Sequence, residues 1–60
     1  MLYEIRIVNG KNVYEIQGNY RTEEGARRRL ANVRALLKGS AAQAYLYCDD
    51  WPRPIKRLKG

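Results

Sequence analysis

Histidine is absent from this 60-residue chain, and Cys48 is its only cysteine. With one thiol and no imidazole, no internal disulfide can close and the usual ligand set of a zinc site is missing. The same absence leaves Cys48 without a base to generate its thiolate, so a cysteine nucleophile is not expected. No apolar run approaches the roughly 20 residues that a membrane-crossing helix requires. The opening stretch "MLYEIRIVNG" alternates apolar and polar residues instead of forming a basic-then-apolar leader. A soluble, cytoplasmic protein without membrane contact is expected. Glycines are few, and "GKNVYEIQG" lacks the spacing of a phosphate-cradling Walker loop.

Sixty residues make one domain, and a chain this short buries only about 60% of the surface that its unfolded form exposes. Disulfides and metals being out of reach, oligomerisation is the remaining support for such a chain, which leaves a homodimer open. Net charge is +6 with a pI near 9.9. Residues 1–20 are balanced, whereas residues 21–38 hold six bases against two acids and residues 53–60 hold four bases and no acid. Two basic blocks around a neutral body point to an acidic partner, nucleic acid or a nucleoprotein surface, against the plainer account of charge for solubility.

The alternation in "LYEIRIV", 2–8, puts Tyr3, Ile5 and Ile7 on one face of a strand and Leu2, Glu4, Arg6 and Val8 on the other. "VYEIQGNY", 13–20, likewise separates Tyr14, Ile16 and Tyr20 from Val13, Glu15 and Gln17. "NG" at 9–10 signals a hairpin, and two registers fit. A two-residue Asn9-Gly10 turn sets Ile5 opposite Tyr14. A four-residue loop from Asn9 to Asn12 sets Ile7 opposite Tyr14 and pairs Arg6 with Glu15. The first has the better turn chemistry and is the one expected.

"TEEGARRRLANVRALLKG", 22–39, reads as a helix: Thr22 as N-cap, Glu23 and Glu24 in the first turn, Lys38 in the last, and Gly39 as left-handed cap. Ala26, Leu30, Val33 and Leu37 form its apolar stripe. Arg27, Arg34 and Lys38 share one flank, Arg29 and Leu36 the other, and Arg28 points outward. "AAQAYLYCD", 41–49, alternates again, with Ala42, Ala44, Leu46 and Cys48 assigned to the core and Tyr45 and Tyr47 facing away. "DDWPRP" is then a turn, and "IKRLKG" a short edge strand or a frayed end. The order β-β-α-β, with or without a fourth short strand, gives an α+β fold: one helix across one face of a small antiparallel sheet. Its open face is expected to carry Glu4, Arg6, Val13, Glu15, Gln17, Tyr45 and Tyr47.

Few residues carry chemistry. Asp49 and Asp50 are the only adjacent carboxylates of the turn region, but neighbours on a strand point to opposite faces and do not converge on one substrate. No EF-hand spacing is present. No catalytic residue, cofactor or metal is expected, and the chain reads as non-enzymatic. For nucleic acid, Tyr45 and Tyr47 on the open face are candidate base-stacking or protein-contact residues. Arg27, Arg28, Arg34 and Lys38 of the helix, with Arg53, Lys56, Arg57 and Lys59 beyond it, are candidates for contacting phosphates or an acidic partner. The basic flank and the tyrosines lie across the sheet from each other on this reading, and Glu4 and Glu15 weaken the open face. Trp51, in a proline-rigid loop, either caps the core or projects as an interface anchor; in so small a chain capping is the expectation.

The hairpin, the helix start "TEEGARRRLANV", the strand ending near "CDDW" and the short basic last segment together resemble the small ββαββ proteins of phages and mobile elements, several anti-CRISPR proteins among them. The resemblance is one of element order over the whole chain, and Gly25 departs from the alanine such helices often carry. It implies a stoichiometric inhibitor that blocks a nucleoprotein surface. Two functions are therefore carried forward. One is a basic domain that contacts nucleic acid or a nucleoprotein; the other is a phage-type inhibitor or protein-interaction module anchored by Tyr45, Tyr47 and Trp51.

Overall fold

The computed structural model describes all 60 residues, Met1–Gly60. Strands β1 (Leu2–Asn9) and β2 (Asn12–Tyr20) form a hairpin, helix α1 (Glu23–Leu36) follows, and β3 (Gln43–Asp49) and β4 (Lys56–Arg57) complete the chain. The four strands make one antiparallel sheet in the order β2-β1-β3-β4. One helix packs on one face of it, the α+β arrangement read from the sequence, and the fourth strand exists as a two-residue edge. No helix is long and apolar enough to cross a membrane.

The core lies between α1 and the two central strands. Ile5, Ile7, Ala44 and Leu46 rise from the sheet to meet Ala26, Leu30 and Val33 of the helix. Tyr3, Tyr20, Leu37, Ala42 and Leu58 close its margins. The helix stripe is therefore as the spacing predicts. Thr22 is extended, and its Oγ1 accepts a hydrogen bond from the Gly25 amide at 3.1 Å. A Cβ on Gly25 would stand 3.0 Å from that same oxygen, so a side chain there requires the cap to give by a few tenths of an ångström. Thr22→Ala leaves that amide without its partner and is expected to cost about 1 kcal/mol, read as a lowered midpoint in thermal unfolding followed by circular dichroism. The helix ends at Leu36, sooner than expected, and the chain turns through Gly39 at φ +86°.

The hairpin departs from the expected register. Its two turn residues are Gly10 and Lys11, closed by the Asn9–Asn12 pair, with Gly10 at φ +62° in the first turn position. Glycine is the residue for that place in a type II′ turn. The pairing starts with Val8 opposite Val13, then shifts by one residue so that Ile7 meets Glu15, Arg6 meets Ile16 and Ile5 meets Gln17. A second shift brings Tyr3 opposite Tyr20, next to Asn19 at φ +68°. Each bulge inserts an extra residue and so reverses which face the following side chains occupy. Glu15 and Gln17 thus lie on the helix side, and Ile16 on the open face. Tyr14 and Ile16, expected in the core, are instead exposed, Ile16 at 53%.

Two further expectations change. Cys48 is on the core side of β3 but only half-buried, because β4 and the loop before it cover that end of the sheet thinly. Trp51 does not cap the core: it projects from the loop at 86% exposure, and the Trp51–Pro52 peptide bond is cis.

Candidate nucleic-acid interface

The open face of the sheet is built by rows of directly paired residues. Glu4 faces Tyr47, which faces Arg57, and Arg6 faces Tyr45. Side chains then cross these rows diagonally. The Arg6 guanidinium lies 4.5 Å from the centre of the Tyr47 ring, and the Arg57 guanidinium 4.7 Å from that of Tyr45. Each such contact is worth about 0.5–1 kcal/mol on an exposed surface. Arg6 also donates from Nε and Nη2 to one oxygen of Glu4, at 3.0 and 2.6 Å. The acid that most weakened this face is therefore paired by one of its own arginines. Glu15, the second, is removed to the helix side by the bulge. Asp49, opposite Leu2, stands at the far end of the face. The Tyr45 hydroxyl donates to Gln43 Oε1.

The helix arginines divide by task. Arg34 donates from Nε and Nη2 to the Ala44 carbonyl at 3.1 and 3.0 Å, and from Nη1 to Gly60 O. The physical reason lies in β4. Leu58 N still donates to Leu46 O, but the strand pairing stops there, so the next outward-pointing carbonyl of β3, Ala44, has no strand partner. Arg34 supplies the missing donors. Arg27 donates to Glu23 and to the Lys59 carbonyl, holding the same segment. Arg28 pairs with Glu24 on the outward face, and Lys38 stands exposed past the helix end. Arg34→Gln is expected to destabilise the fold by about 1–3 kcal/mol, since a half-buried carbonyl loses its charged donors; chemical denaturation measures it.

At the same edge of the sheet Arg34 comes beside Tyr45. An open depression of about 390 Å³ between α1 and β3 is lined by Arg34, Leu37, Ala42, Gln43, Ala44 and Tyr45. Beside it, another of about 470 Å³ is lined by Arg34, Tyr45, Arg57, Leu58, Lys59 and Gly60, with three cationic side chains and no acidic one. The basic flank and Tyr45 thus share an edge, where the sequence placed them on opposite sides. Lys56 pairs with Cys48 on the outer strand, and Arg53 lies in the loop with Trp51, 3.5 Å from Asp50.

Sequence reasoning missed Arg6 as a site residue. Its face was legible from the alternation in β1, but its role depends on the β1–β3 register that sets it beside both tyrosines. On the other side of the sheet, loss of solvation raises the pKa of Tyr3 above the usual tyrosine value, and the negative forms of Cys48, Glu23 and Asp50 add to it. The fold brings no group of three histidine, cysteine, aspartate or glutamate side chains together. Comparison of the chain with models of protein families, with curated proteins and with solved structures returned no match.

Proposed function

We propose that this chain is a non-enzymatic binding domain that takes single-stranded nucleic acid across its open sheet face and round the β4 edge. One observation carries this reading: Tyr45 and Tyr47 stand on the open face beside Arg6 and Arg57, and the face continues into a depression with Arg34 and Lys59 and no acidic side chain. Bases have π-faces that exchange with a guanidinium on a tyrosine ring, and the displaced arginine remains at hand for the phosphate. An open sheet bearing aromatics suits splayed single strands better than a duplex, whose bases are stacked inside. Arg57 on the open face and Lys59 at the edge supply phosphate contacts, joined by Lys56 on the Cys48 side of the same edge and by Arg53 in the loop before it, with Arg28 and Lys38 on a separate surface.

Fluorescence anisotropy with labelled single- and double-stranded DNA and RNA tests the reading. Single strands are expected to bind more tightly, and four phosphate contacts give a log–log salt slope of about −3. Absence of binding at low salt would refute it.

A second reading rests on a different observation. Trp51, held between Asp50 and Pro52, is a large apolar side chain almost wholly in water. Such a residue suits the anchor of a protein interface, the use that a phage-type inhibitor of a nucleoprotein, in the manner of anti-CRISPR proteins, would make of it. The cytoplasm is the compartment in which either partner would be met.

A further inference from the structure

β2 is the long free edge of the sheet and its least defended part. It runs nine residues without proline or a basic side chain, where edge strands are usually short, charged or covered. The other edge follows that custom: β4 has two residues, and Arg34 covers the carbonyl beyond it. On β2, Val13, Tyr14 and Ile16 are all more than half exposed. The bulges fall at Tyr14 and around Asn19, leaving Glu15–Gly18 as the regular stretch between them.

Charge identifies the occupant. Glu4, Glu23, Glu24 and Asp50 each hold a cation within their own chain. Glu15 holds none; its carboxylate accepts only from Gln17 Nε2, at 3.1 Å. Arg29 of the helix has no acid either, and its Nε donates to Gln17 Oε1 at 3.3 Å. An unmatched acid and an unmatched base therefore share one amide at the helix side of the free edge.

We infer that a second copy of this chain adds to β2, antiparallel, about a two-fold axis at Ile16. In that register Ile16 meets Ile16 of the second copy on the open face, and Glu15 lies opposite Gln17 of the second copy on the helix side. Glu15 then reaches the Arg29 that this Gln17 holds, and symmetry makes the contact twice. Asn12–Tyr20 carries a single charged side chain, Glu15, so two bodies of net charge +6 approach by their least charged edge. Their basic β4 edges stay at the far ends of an eight-stranded sheet. An unrelated strand would gain the backbone hydrogen bonds but not the reciprocal charge pair.

The contact is small, in the class of reversible interfaces below about 1,200 Å². Sedimentation equilibrium up to several hundred micromolar is the test, without nucleic acid, so it is independent of the function proposed above. The mass is expected to rise from 7.0 kDa towards twice that value. Glu15→Arg and Arg29→Glu are each expected to weaken association about tenfold or more, because like charges then face each other. The double variant restores it. Ile16→Lys abolishes it while circular dichroism stays native, since Ile16 is not in the core. A 7.0 kDa monomer throughout overturns the inference, as does a dimer indifferent to these changes or one that the double swap fails to restore.

Discussion

Leu46→Ala is expected to remove a large share of the protein's stability. Leu46 is 1% exposed, sits directly opposite Ile5, and belongs to a core of seven buried residues. Truncating a buried leucine to alanine costs about 2–5 kcal/mol, because the cavity collapses only in part. At roughly 0.05–0.15 kcal/mol per residue, a chain of this length has only about 3–9 kcal/mol to lose. With Cys48 its only cysteine, no internal disulfide compensates. In a domain this small each 1 kcal/mol moves the melting midpoint by about 4–8 °C, so thermal unfolding followed by circular dichroism reads the effect easily. Leu36→Ala is the control: Leu36 is 79% exposed on the helix, and its loss should stay within about 0.5 kcal/mol. A Leu46→Ala protein that melts within a few degrees of the parent would contradict this core.

The contrast between those two leucines was legible in the sequence, because the helix that carries Leu36 and the strand that carries Leu46 each repeat on a local period and state their own buried face. Thr22 caps the start of α1 through backbone chemistry that is equally local, whereas Gly39, expected as the left-handed cap, lies in the turn beyond the actual cap, Leu37. The faces of β1 and β3 were legible for the same reason. β2 was not. Its face depends on a bulge at Tyr14 that no local rule marks, and one inserted residue exchanges Glu15 and Gln17 for Ile16 on the open face. Gly18 and Asn19 are the local signs of the second bulge, since a glycine inside a strand often marks one and asparagine tolerates positive φ better than most residues. The site suffered accordingly. Tyr45 and Tyr47 could be placed on the open face, but an acid that is not there was counted against them. Arg34 was read as a free cation because the length of β4, which decides what its guanidinium must cover, is set by tertiary pairing and not by sequence. Trp51 was given to the core by the size of the chain, while the turn that follows β3 projects it into solvent.

Replacing Tyr45 or Tyr47 by alanine is expected to weaken single-strand binding by about 5- to 150-fold, the equivalent of one lost base stack at roughly 1–3 kcal/mol. The fold should tolerate either change, since both rings lie on the open face and outside the core. Arg57→Gln is expected to act differently. It removes one phosphate contact, so the log–log salt slope should fall by about 0.7, and it also takes the cation from over Tyr45. Arg34→Gln cannot serve as the diagnostic variant, because its donors hold Ala44 and Gly60 and their loss is read first as instability. Trp51→Ala separates the two functional readings. On the nucleic-acid reading it changes anisotropy titrations little, while the tyrosine variants lose most of their affinity. If Trp51→Ala abolishes capture of a nucleoprotein partner and the tyrosine variants retain it, the projecting tryptophan is the anchor, and the open face is surface to which no nucleic acid is bound.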